Sequence, residues 1–533
     1  MTSGYLSMIL HAHLPYVKNT KSEDSLEERW LFQAITECYI PLLNGFYSLL
    51  EENVKFRLAV SLSPPLLEML ADPLLQAKYK THLENLLELS EKEVKRTSYD
   101  SRVQLLARMY RDRFHELLSD YTDKYKQDLI EPWRVLETEG RVELMATAAT
   151  HGYLPLLLHN EAVVAQIKAG VAAFRKHFHH EPKGFWLPEC AYAPEIEEPL
   201  KNENLAYFVT ETHGLLFATP RPRFGYHAPI VTPNGLLAFA RDPDCSKQVW
   251  SAQEGYPGDG VYREYYRDIG YELPEDYLGN ALPGRTRVPT GIKYYRVTDR
   301  RSDHKQIYEP GQALARAWEH AGNFVFWRNK EAGHWSGVLG RNPIMVAPYD
   351  AELFGHWWYE GPVWLAHVFR RLSQEASQVT AITPWEYVQH YPVNQVSQPA
   401  TSSWGYKGYH EVWLEGSNHW VYRHLHEAQE RLARISRANP NARGLQRRAL
   451  SQAVRELLLA QSSDWPFIMK TGTLPDYAKD RFVTHIGRFQ KLCDEIEQGA
   501  PDPGHLLHLE KVDSVFWDID LAGLYAASST QVP

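Results

Sequence analysis

Residues 344–357 read IMVAPYDAELFGHW: an apolar run enters Asp350 directly, then turns through Gly355 into aromatic residues. Such a segment predicts a buried strand that delivers a carboxylate at its C-terminal end. The same pattern recurs upstream in YLSMILHAHLPY (5–16), FRLAVSLSPP (56–65), VELMATAATHGYLP (142–155), GFWLPECAY (184–192), LAYFVTETHG (205–214) and LLAFARD (236–242). Helical patterns, such as AVVAQIKAGVAAFRKHF (162–178) and IYEPGQALARAWEHA (307–321), separate several of these runs. Alternating strands and helices predict an α/β fold built on a parallel sheet or barrel. In that fold the site lies at the C-terminal strand ends, where the polar motifs fall here.

Outward from these strands, residues 66–138 read as a nearly continuous charged amphipathic helix pair, expected as a helical insertion packed on the barrel. Strand patterning stops near residue 380. Segments such as HWVYRHLHEAQERLARISR and RGLQRRALSQAVRELLLAQ follow. The expected division is a catalytic unit over 1–380 and a helical C-terminal domain over 381–533. The stretch 243–290, rich in Gly, Pro, Tyr and Asp, lacks a period and is expected to be a long functional loop.

The 533 residues carry 66 acidic and 57 basic side chains, a net charge of −9, so no global positive field exists to hold a nucleic acid or an anionic membrane. The aromatic excess lies in 16 Trp and 31 Tyr against 19 Phe, rings that join a flat apolar face to a hydrogen-bonding edge. Cys38, Cys190, Cys245 and Cys493 show neither CxxC nor zinc-finger spacing, so a reducing compartment is expected. The N-terminal MTSGYLSMILHAHLPY has no basic n-region and its apolar run is broken by histidines, unlike a signal peptide. With no apolar stretch of membrane-spanning length, the expectation is a soluble cytoplasmic monomer.

Glu189 and Asp350 each leave an apolar strand inside an aromatic segment, and burial of an unpaired carboxylate is costly enough to need a reason. Two such groups serve as nucleophile and general acid/base on a glycosidic bond when a retaining enzyme holds them about 5 to 5.5 Å apart. Trp186, Tyr192, Trp357 and Trp358 then offer faces on which sugar rings stack. A structural ion pair with arginine is the plainer use of either acid. His11 and His13 point to one side of an extended segment, and His151 follows the third strand. With Asp350 these histidines also form a metal-ligand vocabulary, and neutral imidazoles bonding sugar hydroxyls use the same residues.

HAHLPY, ATHGYLP, GFWLPECAY, APYDAELFGHWWYEG and WGYKGYHEVWLEGSNHWVYRHL resemble, in order, the five motif regions of glycoside hydrolase family 57. Together with QSSDWPF (461–467) their forms are similar to those of its α-1,4-glucan branching members, and the resemblance runs from residue 9 to about 520. It implies an incomplete (β/α)7 barrel with a helical insertion and an α-helical C-terminal domain. It implies Glu189 as nucleophile and Asp350 as acid/base, with His11, His13 and His151 lining the donor site and no metal or other cofactor required. Trp404 and Trp413 match aromatics that close over the glucan, Asp464 a substrate-binding acid, and Trp30 an aromatic near the cleft. Arg263 and Gly291 fall in segments resembling substrate-contacting stretches, and Trp357 follows the acid/base motif. The loop with Tyr256 in GYPGDG resembles a mobile cover whose tip tyrosine keeps water from the covalent intermediate. The implied partner is an α-glucan such as amylose or a glycogen-like polymer, the implied activity the formation of α-1,6 branches. An α-amylase or 4-α-glucanotransferase of the same family is the alternative, and the histidine pair keeps a metal-dependent polysaccharide deacetylase as a minor one.

Overall fold

The computed structural model describes residues 2–529 except 23, 24, 252, 253, 300 and 375; the last four residues of the expected C-terminal domain, 530–533, lie outside the described residues. Nine strands form one curled sheet: β1 (Gly4–Ala12), β2 (Leu58–Leu62), β3 (Val142–Thr147), β4 (Gly184–Trp186), β5 (Tyr207–Thr210), β6 (Ile230–Val231), β7 (Leu237–Ala240), β8 (Ile344–Asp350) and β9 (Val379–Ala381). Seven of them run parallel in the order β7-β5-β4-β3-β2-β1-β8. Each is the strand expected from one of the quoted apolar runs. β1 and β2 are buried along nearly their whole length and read as continuous apolar runs.

The curl does not close. β7 meets β8 through a single bridge, Arg241 with Val346, and the Asp242 N–H donates to the Val346 carbonyl at 2.7 Å. The result is the incomplete seven-stranded barrel that the motifs imply. The two strands that the sequence reading missed are accessory to it: β6 is antiparallel on β7, and β9 pairs alongside β1. Both are too short to show a period.

Parallel pairing without slippage brings the strand ends together. His11 stands opposite Ser61 on β2 and Asp350 on β8. Helix Asn160–Phe178 packs so closely behind β3 that a Cβ on Gly170 would lie 2.0 Å from the Thr147 carbonyl oxygen, which explains a glycine inside that helix.

Between β2 and β3 the chain forms helices Pro64–Leu70, Pro73–Arg96, Ser101–Ser119 and Glu131–Thr138. The second starts where Asp72 accepts from the backbone N–H groups of Leu74 and Leu75. Beyond β9 the described residues form no further strand of the sheet and are mainly helical, with helices Trp420–Ala438, Gly444–Ala460 and Pro475–Glu497 among them. The turn 461–463 between helices Gly444–Ala460 and Asp464–Thr471 docks onto the barrel mouth: Gly152 bridges Ser462, and the Ser463 N–H donates to the His151 carbonyl at 3.1 Å. No helix among the described residues is long and apolar enough to cross a membrane.

Candidate active site

The C-terminal strand ends open into a cleft of about 1040 Å³. Its wall includes His11, His13, Trp30, His151, Glu189, Asp350, Trp357, Trp404, Trp413 and Asp464, so ten of the expected site residues come together.

Glu189 sits just past β4 with φ +62°, followed by Cys190 at +49°, and His151 past β3 adopts +56°. Left-handed conformations are uncommon for such residues and persist where the surroundings over-determine them. Here the surroundings come from the far end of the chain. Trp404 Nε1 donates to Glu189 Oε2 at 2.7 Å, Ser463 Oγ donates to Oε1 at 3.0 Å, and the Trp404 N–H takes the Glu189 carbonyl at 3.1 Å. Burial, aided by the charge of Asp350, pushes the Glu189 carboxyl up to about 7 against the pull of these donors.

Asp350 ends β8 in register with His11. Burial and then the adjacent Glu352 push its carboxyl up to about 7, while His13 and Arg241 oppose the rise. No side chain among the described residues hydrogen-bonds this carboxyl, so it faces the cleft unengaged. The two acids therefore differ in kind. Two donors favour the ionised form of Glu189, whereas a like charge beside Asp350 favours its protonated form.

The three histidines do not converge on a point. Their rings lie nearly parallel, with His11 and His151 at 4.9 Å and His13 and His151 at 3.9 Å between centroids. Burial pulls His11 and His151 well below the usual range, and neighbouring His13 adds to this, so both are neutral. Their Nε2 atoms share a 2.9 Å hydrogen bond. His13 also loses by burial, but Asp464 at 2.9 Å outweighs that and raises it. Burial likewise raises Asp464, and His13 overcomes it to hold the acid at about 2. His13 and Asp464 thus form a charged pair next to a neutral pair, and His13 Nδ1 is fixed by Ser63 Oγ at 2.9 Å.

Aromatic faces line the rest. Trp357 is 53% exposed and stacks on Tyr265 at 4.5 Å, Trp413 is buried against Tyr153 at 4.6 Å, and Trp30 meets Tyr477 edge-on at 5.3 Å.

Tyr256, Arg263 and Gly291 are not part of this wall. Instead of capping the cleft, Tyr256 is 9% exposed, stacks on His320 at 4.5 Å and donates its hydroxyl to Asn323 Oδ1 at 2.8 Å. Helix Pro310–Leu339 supplies this socket. Arg263 lies under the Tyr359 ring at 3.9 Å, pairs with Glu37 at 3.3 Å and donates to the Gly291 carbonyl at 3.2 Å. Glu37 in turn holds His356, a cleft residue, at 2.6 Å, so Arg263 and Gly291 brace the wall from behind. The surrounding stretch 243–290 is not a bare loop either, since Asp242 caps the helix Pro243–Trp250 within it.

Sequence reasoning also missed Glu352, which lines the cleft, accepts from Tyr39 at 2.5 Å and from the His13 N–H at 3.2 Å, and is raised by burial to about 7. Its signal was its place two residues after Asp350, in the 3₁₀ turn that follows β8. Ser463 and Arg241 carried no signal, because their roles depend on contacts across the fold.

Two buried carboxyls, both raised to about 7, in one cleft walled by indoles suit chemistry on glycosidic bonds. Residues 7–401 match the model of glycosyl hydrolase family 57, and residues 424–523 match that of the 1,4-alpha-glucan branching enzyme C-terminal region. The chain belongs to glycoside hydrolase family 57. It is 33% identical to a 1,4-alpha-glucan branching enzyme of Thermococcus kodakarensis over 96% of this chain and 77% of that one. Among solved structures, the alpha-amylase AmyC from Thermotoga maritima superposes with a TM-score of 0.92 at 40% identity over 99% of both chains. The branching enzyme from Pyrococcus horikoshii does so with 0.88 at 32% identity over 98% of this chain and 97% of that one.

Proposed function

We propose that the protein is a 1,4-α-glucan branching enzyme that acts by retaining double displacement. The observation that carries this reading is the unequal support of the two carboxyls, with Trp404 and Ser463 on Glu189 and Glu352 beside Asp350. Asp350 protonates the leaving glycosidic oxygen while Glu189 attacks C1, breaking the α-1,4 bond and forming a β-linked glucosyl-enzyme. Asp350, now ionised, takes the proton of an acceptor 6-hydroxyl. That oxygen displaces Glu189, restoring the α configuration as a new α-1,6 bond. His11, His13, His151 and Asp464 hold donor-sugar hydroxyls, and Trp30, Trp357, Trp404 and Trp413 give the glucan its stacking faces. The partner is a neutral glycogen- or starch-like polymer, which a net charge of −9 neither attracts nor repels. Four free, buried cysteines support a cytoplasmic location, with the enzyme working as a monomer. Residues 1–380 form the catalytic unit, and the helical domain that follows from residue 381 completes the cleft.

Hydrolysis is the second reading. Two observations favour it: the 40% identity to a structure described as an alpha-amylase, and the burial of Tyr256 against helix Pro310–Leu339, outside the cleft lining. Incubation with amylose, counting α-1,6 linkages by proton NMR beside released reducing ends, decides between them. New branches in excess of reducing ends are expected; reducing ends without branches would establish the amylase.

A further inference from the structure

The barrel seam between β7 and β8, where strand pairing fails, contains a second cluster of buried polar groups outside the lining of the cleft. His227, Asp242 and Glu331 place their ligand-type atoms within 4.8 Å of one another. They come from the three segments that meet there. The His227 carbonyl accepts from the Ile344 N–H at 2.9 Å at the start of β8, the Asp242 N–H bonds Val346, and Glu331 lies on helix Pro310–Leu339.

The hydrogen-bond inventory of this cluster is incomplete. His227 is 3% exposed, and neither of its ring nitrogens has a hydrogen-bond partner, although Trp335 and Tyr226 pack on its faces at 4.4 and 4.2 Å. Asp242 is fully buried. Its Oδ1 is used, accepting from the Cys245 N–H at 2.8 Å, while Oδ2 has no partner. Glu331 Oε2 has no donor partner and stands 3.4 Å from Arg328, with its carboxyl close enough to that of Asp242 to share a proton. Arg328 also lies 3.6 Å from Asp242 and donates to Cys245 Sγ at 2.6 Å. One guanidinium thus faces two carboxylates, leaving one negative charge to be met, and it does nothing for the imidazole. Buried polar atoms of this kind are nearly always satisfied in native proteins.

We propose that His227, Asp242 and Glu331 bind a divalent transition-metal ion, zinc by the character of its ligands, and that the ion clips the open seam of the barrel. One imidazole nitrogen with two carboxylate oxygens suits zinc and its neighbours rather than calcium or magnesium, which take oxygen ligands. A bound ion at about 2.0–2.2 Å from each ligand would draw the three groups closer together. It would satisfy the imidazole and the free carboxylate oxygens at once and tie β7, the start of β8 and the long helix into one unit. The competing state is a proton shared by the acids, since burial and neighbouring Asp242 push the Glu331 carboxyl up.

The test uses the full chain, tag-free and purified without chelator. Metal content is measured by mass spectrometry, and thermal unfolding is followed before chelation, after it, and after addition of zinc chloride. About one zinc per chain is expected, with a Tm that falls on chelation and returns with zinc. Glu331→Gln keeps the packing and removes a ligand, and should weaken zinc binding by at least about 100-fold, the upper range for loss of an outer-shell partner. Zinc retained at full occupancy in Glu331→Gln would place the ion elsewhere, the cleft histidines included, and overturn the assignment. Absence of bound metal with a Tm insensitive to added zinc would overturn it too, leaving Arg328 and a shared proton as the whole of the cluster. His227→Gln serves as a second ligand variant should Glu331→Gln fail to fold.

Discussion

The indole N–H of Trp404 donates to Oε2 of Glu189 across 215 residues of sequence, so the segment that follows the barrel tunes the group at its centre. This bond favours the ionised carboxyl against burial, which raises it. Replacing Trp404 by Phe removes the donor and keeps an aromatic, though smaller, ring. A hydrogen bond to a charged group contributes about 1.5–3 kcal/mol, which translates to a loss of about 10- to 100-fold in kcat/KM. Without the bond Glu189 holds its proton to higher pH, so the acidic limb of the pH–rate profile on amylose should move upward. A variant with reduced activity and an unmoved acidic limb would count against this role.

Glu352 acts on the other limb. Its negative charge stands second only to burial in raising Asp350, which in the proposed double displacement must be protonated to donate. In Glu352→Gln the Asp350 carboxyl falls, and the alkaline limb should move to lower pH. Activity should therefore drop most above neutral pH, by about tenfold for each unit of displacement, and least in mild acid. Rates measured from pH 5 to 9 in a constant ionic-strength buffer check this.

The His13–Asp464 pair ties the barrel to the turn that follows helix Gly444–Ala460. Asp464, held at about 2, adds stability that is present above its unfolded value of 3.8 and lost as pH falls toward 2. His13, raised above 6.5, adds stability present below that value and lost as pH rises through its folded one. The pair therefore contributes most between about pH 4 and 6.5. With side chains only 10% and 17% exposed, removal of one partner leaves a largely buried charge without its counterion. Asp464→Asn should cost about 3–5 kcal/mol in that window. Thermal unfolding of both proteins should show the gap narrowing at higher pH, where His13 discharges; a gap constant with pH would mean that the pair is not ionised.

How much of this was legible in the sequence depends on whether the signal was local. Asp350, His11, His151 and Glu189 follow apolar strands directly, so strand polarity alone puts them at one end of a barrel. Trp404 and Asp464 were legible only through motif resemblance, because nothing near them in the chain says which strand end they meet. Ser463 and Arg241 were silent for the same reason. β6 and β9 are two and three residues long, below the length at which a period exists. Arg263 and Gly291 were placed in the cleft by their motif, yet Glu37 and Tyr359 hold the arginine one layer behind it.

Tyr256 gives the sharpest contrast between motif and structure, and a variant resolves it. A tyrosine that covers the cleft should control the partition between transfer and hydrolysis, since water competes with the acceptor for the glucosyl-enzyme. The observed ring instead lies on His320, with its hydroxyl on Asn323. Tyr256→Phe then removes one buried hydrogen bond and nothing from the cleft. It should lower stability by about 0.5–1.5 kcal/mol and leave the ratio of α-1,6 linkages to reducing ends as in the wild type. If the ratio falls several-fold while the Tm holds, the segment leaves its socket during turnover, and helix Pro310–Leu339 is its resting place rather than its working one.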